Sequence, residues 1–183
     1  MFIFEKRTQI PVCIKNRNPK LAGIILSQYG GPDGELGAAM RYLNQRYTMK
    51  DGRVIGILTD VGSEELGHME MVGSIVYQLT RNLTPDEIRA GGFDKYYVDN
   101  GAAIYPTSAS GVPFNAASIA SKEDRLASIS EDIVAEQKAR AMYDNILRLS
   151  DDPDVNDVIK FLRQREVVHL QRFGEAMEIL KGK

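Results

Sequence analysis

The feature that most constrains this chain is a pattern of glutamate and histidine that occurs twice. The sequence contains only two histidines, and each follows a glutamate by three residues. A further glutamate stands thirty residues before each of those glutamates. The same unit is therefore present in both parts of the chain, as Glu35, Glu65 and His68 and again as Glu136, Glu166 and His169.

This spacing fits two pairs of antiparallel helices. Residues three apart lie on one face of a helix, so Glu65 and His68 project together, as do Glu166 and His169. The thirty-residue step crosses one short connection and places the earlier glutamate on the neighbouring helix. Four carboxylates and two imidazoles then meet at one point, which matches the ligand pattern described for dimetal sites in four-helix bundles.

Glu64 competes with Glu65 for the ligand position, because Glu64 and His68 stand four residues apart and also share a helix face. Only Glu65 has the register of Glu166, so the repeat favours Glu65. The glutamates outside this register are expected to face solvent: Glu70, Glu131 and Glu175.

Two tyrosines follow the first glutamate of each unit by seven residues. Tyr42 and Tyr143 therefore lie on the helix faces of Glu35 and Glu136, two turns further on. Each could donate a hydrogen bond to a ligand carboxylate. The alternative is that both are ordinary core tyrosines.

Helical periodicity predicts an all-α, ferritin-like four-helix bundle in a single domain of residues 1–183. Gly30-Gly31-Pro32 is expected to kink or split the first helix. Residues 1–18 predict an irregular arm, and breaker residues predict a crossover at 83–118 that makes the second and third helices parallel. The four predicted helices are 20–47, 54–79, 121–150 and 153–180.

Composition narrows the classes of partner. A net charge of −2 provides no electrostatic footprint for nucleic acid, and no apolar run is long enough to span a membrane. The short apolar run at the N-terminus does not resemble a signal peptide, so we expect synthesis in the cytoplasm. The single cysteine, Cys13, excludes an internal disulfide and is expected to be a reduced, buried thiol.

Oxygen-rich ligation with one imidazole per ion suits manganese or iron better than zinc or copper, and the spacing does not separate the first two. Without metal, the buried carboxylates would repel one another. Removal of the metal is therefore expected to lower stability.

Four segments resemble the manganese catalase family over nearly the whole chain. Residues 30–35 (GGPDGE) and 60–71 (DVGSEELGHMEM) resemble the first two ligand helices of that family, 111–116 (GVPFNA) the segment before its third, and 161–169 (FLRQREVVH) its fourth. The compact length is most similar to the spore coat protein JC branch. The resemblance therefore implies a catalase of hydrogen peroxide whose two manganese ions cycle between the II/II and III/III states.

The resemblance also implies roles for individual residues. Glu65 would bridge the two metals, Glu166 would transfer protons from just outside the ligand shell, and Tyr42 would donate a hydrogen bond to Glu35. The metal ligands implied are Glu35, Glu65, His68, Glu136 and His169.

The chain departs from the family at two positions. Catalases of this family carry a basic side chain just before the third glutamate or two turns after it, where this chain has Ala135 and Tyr143. We expect a raised pKa for Glu166 and slow turnover. The competing functions are a structural spore-coat protein that retains a metal site and, less favoured, a di-iron ferroxidase or peroxidase. The resemblance also implies a homo-oligomer, as a hexamer, and contacts with other spore coat proteins.

Overall fold

Two pairs of long antiparallel helices form the centre of the fold. The computed structural model describes residues 7–98, 103–119 and 121–182. Apart from a short helix in the crossover, the described α-helices are α1 (Pro19–Ile25), α2 (Ser27–Gly30), α3 (Glu35–Gln45), α4 (Gly52–Thr80), α6 (Arg125–Leu149) and α7 (Pro153–Leu180). Helix α3 packs chiefly on α4, and α6 packs chiefly on α7.

Polar caps fix where the long helices begin. The carboxylates of Asp51, Asp124 and Asp152 each accept a backbone N–H in the first turn of α4, α6 and α7. Pro153 then occupies the first position of α7, where its missing N–H has no cost. The first predicted helix is split between α2 and α3 at Gly30-Gly31-Pro32, as expected, and a further break at Leu26 separates α1 from α2.

The crossover contains a short helix, α5 (Pro85–Gly91), and two paired two-residue strands, β1 (Tyr97–Val98) and β2 (Ala103–Ile104). Thr84 and Glu87 form a capping box at the start of α5. The crossover backbone passes so close to Gly30 that a Cβ there would lie 2.1 Å from the backbone nitrogen of Thr107. Only glycine permits that approach.

Contacts across α3 and α6 show how the helices run. Gln45, at the C-terminal end of α3, donates a hydrogen bond to Asp132. Glu35, at the N-terminal end of α3, accepts a hydrogen bond from Tyr143. Partner numbers therefore fall along α6 as they rise along α3, so these helices are antiparallel. Since α3 is also antiparallel to α4, helices α4 and α6 are parallel, and the predicted bundle with its crossover is confirmed.

Two apolar clusters lie at opposite ends of the bundle. One is built on the C-terminal half of α4 with Ile146 of α6 and Leu162 of α7, and the other on the N-terminal half of α4 with Ile129 and Phe173. On α4, α6 and α7 the repeated glutamates and histidines lie between the two clusters. A buried polar layer thus separates two halves of the hydrophobic core.

The described part of the N-terminal arm, residues 7–18, runs along α4. The side chain of Gln78 bonds the backbone N–H of Ile14 and the carbonyl of Val12, and Arg81 donates to the carbonyl of Ile14. The arm therefore covers the outside of the bundle. Cys13 in this arm is exposed, so the expected burial of its thiol is wrong, because backbone contacts hold the arm on the surface. Among the described residues, no helix has both the length and the apolar character needed to cross a membrane.

Candidate metal centre

The repeated glutamates and histidines converge on the buried polar layer. None of the six residues is more than 2% exposed. Glu65, His68, Glu166 and His169 each offer a ligand atom within 4.8 Å of the others. Helices α3 and α6 contribute the remaining two carboxylates, Glu35 and Glu136.

The two imidazoles face one carboxylate. The Nδ1 atoms of His68 and His169 lie 2.7 Å and 2.9 Å from the two oxygens of Glu65. The same Nδ1 atoms lie 3.8 Å from Glu35 and 3.6 Å from Glu136, respectively. Each half of the site therefore has one imidazole and one outer glutamate, and Glu65 lies between the halves.

Glu166 occupies a different position from Glu65, although the spacing makes them equivalent. Within the described chain, Glu166 takes no part in the ion pairs that the two imidazoles make with carboxylates, and its Oε1 atom has no hydrogen-bond partner. Burial, followed by repulsion from Glu136 and Glu35, raises the pKa of Glu166 well above its usual range. The raised pKa favours the protonated form of this carboxyl when no cation is present.

The other carboxyls are set apart by their neighbours. Burial and repulsion from Glu65 raise the pKa of both Glu35 and Glu136. Burial opposes ionisation of Glu65 as well, but the two adjacent imidazoles lower its pKa overall.

Burial alone would lower the pKa of His68, but the nearby carboxylates raise it to about 9. The pKa of His169 is raised for the same reason. The centre without metal is therefore a carboxylate between two imidazolium rings, and the raised pKa values of the surrounding carboxyls favour their neutral form.

Tyr42 and Tyr143 are buried and hydrogen-bonded to the outer glutamates, and each donates to the glutamate of the other helix and not to that of its own. Tyr42 donates to Glu136 and Tyr143 donates to Glu35. The expected bond from Tyr42 to Glu35 is therefore corrected. Residues seven apart are separated by about 10.5 Å along a helix, and their side chains tilt the same way, so each tyrosine reaches the glutamate of the antiparallel neighbour.

Several buried polar atoms in the centre lack a hydrogen-bond partner. They include one oxygen each of Glu65, Glu136 and Glu166, together with both ring nitrogens of His169. Buried polar groups are normally satisfied, so the unpartnered carboxylate oxygens that converge here fit cations as the missing partner. Carboxylate oxygens with one imidazole per half fit manganese or iron.

Glu64 lies on the opposite side of the imidazoles from Glu65. Its oxygens are 3.3 Å from Nε2 of His68 and 3.1 Å from Nε2 of His169. Arg165 donates to both oxygens of Glu64, at 2.6 Å and 3.1 Å, and Gln9 of the arm donates to one of them at 2.7 Å. The pKa of Glu64 is therefore lowered, despite its partial burial.

The sequence singled out Glu64 only as a rival of Glu65, and it did not identify Arg165 or Gln9. The signal for Glu64 is the four-residue spacing to His68. Gln9 has no sequence signal, because the path of the arm decides its position. Of the two positions expected to carry a basic side chain, one is Ala135 and the other is Tyr143, which donates a hydrogen bond to Glu35.

Comparison with known proteins finds similarity to manganese catalases over the whole chain. The family model of manganese containing catalase matches residues 1–183. "Protein CotJC" of Bacillus subtilis is 52% identical over 99% of this chain and 95% of its own length. A "Probable manganese catalase" of Clostridium acetobutylicum is 33% identical over 100% of this chain and 82% of its own. The crystal structure of KatB, a manganese catalase from Anabaena, superimposes with a TM-score of 0.90 at 28% identity, over 99% of this chain and 81% of KatB.

Proposed function

Because this chain belongs to the manganese containing catalase family, we propose that it disproportionates hydrogen peroxide to water and dioxygen at a pair of manganese ions. The observation that carries the proposal is the position of Glu65, whose two oxygens face the Nδ1 atoms of both imidazoles. A carboxylate in that position is suited to bridge two ions. The ligands proposed are Glu35, Glu65, His68, Glu136 and His169.

Manganese ions held by these residues would supply a reversible two-electron change, which two peroxide molecules need to become two waters and one dioxygen. Glu166 accepts one of the two protons of the peroxide that is oxidised and returns it to the peroxide that is reduced, while the second proton is exchanged with water. Its burial supports this role, because a carboxyl with a raised pKa can hold a proton near neutral pH. Tyr42 and Tyr143 keep Glu136 and Glu35 oriented toward the ions.

A second function, a structural spore-coat protein with weak activity, is supported by the two departures from the family. Ala135 and Tyr143 provide no basic side chain that would stabilise the ionised form of Glu166. A di-iron ferroxidase or peroxidase is a third, less favoured possibility. We further propose assembly into a homo-oligomer and placement in the spore coat beside other coat proteins, following the resemblance to the spore coat branch.

Metal analysis combined with oxygen release from peroxide tests these functions. We expect two manganese ions per chain and oxygen evolution that falls strongly in Glu166→Gln, which cannot carry the proton. Glu175→Gln is the matched control, because Glu175 lies on the same helix but is exposed and paired with Arg172.

Three outcomes would count against the proposal. Bound iron without oxygen release would refute the catalase function. Bound manganese without oxygen release would favour the structural role. Oxygen release that is unchanged in Glu166→Gln would remove Glu166 from the reaction.

A further inference from the structure

Both imidazoles of the centre have their outer nitrogen on the same side. The rings of His68 and His169 are nearly parallel, with centroids 5.5 Å apart and planes inclined by 21°. Their Nδ1 atoms face Glu65, so their Nε2 atoms both point the other way, where one carboxylate, Glu64, meets them. The Glu64 side chain is only 17% exposed.

This arrangement has a specific meaning in a metal site. An imidazole that binds a metal through one nitrogen usually donates its other N–H to a carboxylate or carbonyl, which fixes the tautomer and the ring orientation. In most sites each histidine has its own partner. Here a single carboxylate has one oxygen near each Nε2 atom.

Glu64 is itself held from two directions. Arg165 of α7 grips both of its oxygens with Nε and one Nη, the bidentate geometry that suits a guanidinium and a carboxylate. Gln9 donates to Glu64 with its amide nitrogen, and its amide oxygen lies 3.2 Å from Nε2 of His68. The N-terminal arm and α7 thus hold one side chain of α4 against both histidines.

We propose that Glu64 is a positioning residue that orients both metal-binding imidazoles at once, held in place by Arg165 and by Gln9 of the arm. This inference rests on the proposed function, since it assumes that Nδ1 of each histidine binds manganese. The positive charge of Arg165 offsets the negative charge of the Glu64 carboxylate, so Glu64 orients the rings without adding net charge to the centre.

The first test measures manganese affinity of the full chain by competition with a chelator. We expect Glu64→Ala to weaken binding about 10- to 100-fold, the usual effect of removing such a partner. Glu64→Gln retains one oxygen but presents an NH₂ group to the second ring, so we expect one ion to be weakened more than the other. Glu70→Gln, an exposed position on the same helix, serves as the control.

The second test reads the tautomer directly. The chain contains only two histidines, so the imidazole ¹⁵N NMR signals of the protein loaded with diamagnetic Zn²⁺ come from this site alone. We expect both rings of the native protein to carry their proton on Nε2, and faster exchange of those protons with water in Glu64→Ala. Arg165→Met should produce a smaller change in the same direction.

The outcomes separate this proposal from the proposed function. If the native protein binds no metal, the function fails. If the native protein binds manganese, but Glu64→Ala retains native affinity and native imidazole spectra, the positioning role is overturned while the function stands. Should Glu64→Ala not fold, the same comparison applies to Glu64→Gln, which preserves the size of the side chain.

Discussion

Manganese binding should release a defined number of protons from this centre. A ligand must be deprotonated to bind a metal. With a pKa of about 9, the His68 ring of the metal-free protein is roughly 99% protonated at pH 7, and the raised pKa of His169 keeps its ring protonated too. The raised pKa values of Glu35 and Glu136 add carboxyl protons. Both imidazoles and both outer carboxyls must lose these protons when metal binds, whereas Glu65 is already ionised.

We therefore expect about three to four protons per pair of ions at pH 7, and metal affinity that rises steeply with pH. Titration calorimetry in two buffers with different ionisation enthalpies measures this number. Glu131→Gln, at an exposed position of the same helix as Glu136, should leave it unchanged. Release of only two protons would show that the carboxyls ionise before metal binds. Fewer than two would refute the imidazolium–carboxylate description of the metal-free centre.

Three further predictions concern stability. Chelation of the metal should lower the melting temperature, since a ligand at 1,000 times its dissociation constant contributes about 4 kcal/mol; an unchanged temperature in calorimetry would contradict the site. Phe173→Ala should lower the free energy of unfolding in urea by about 3–5 kcal/mol, because this ring is fully buried beside Tyr42. A loss below about 1 kcal/mol would argue against that packing. Tyr143→Phe should lower the free energy of unfolding by about 1–3 kcal/mol, because it leaves a buried oxygen of Glu35 unpaired. Tyr77→Phe, at an exposed position, should change it little, and equal losses in the two variants would be inconsistent with the hydrogen bond.

The four-helix architecture was predictable because it follows from periodicity and from local signals. Gly30-Gly31-Pro32 marked the split between α2 and α3, and the Asp152-Pro153 cap marked the start of α7. The centre was also predictable as a set, since the fixed spacing survives any small error in helix ends. The path of the crossover backbone near Thr107 was not predicted, because it depends on a close approach to the distant Gly30.

The finer geometry of the centre was beyond the reach of spacing. Spacing treats Glu65 and Glu166 as equivalent, and only the positions of both imidazoles distinguish them. The tyrosine partners were assigned within one helix, whereas side-chain tilt directs Tyr42 to the neighbouring helix. The position of Gln9 depends on how the arm lies along α4, which no periodic pattern encodes.

The hydrogen bonds from each tyrosine to the glutamate of the other helix pair affect what would follow if the chain were cut into two fragments. A single pair such as α3 and α4 carries a glutamate, a tyrosine and a Glu-x-x-His unit, yet the donor for its own Glu35 comes from α6. Such a half would complete its hydrogen bonds only by joining a second copy about a twofold axis. The chain is in this respect a covalently linked symmetric pair, and two fragments cut in the crossover would each depend on the other for a complete centre.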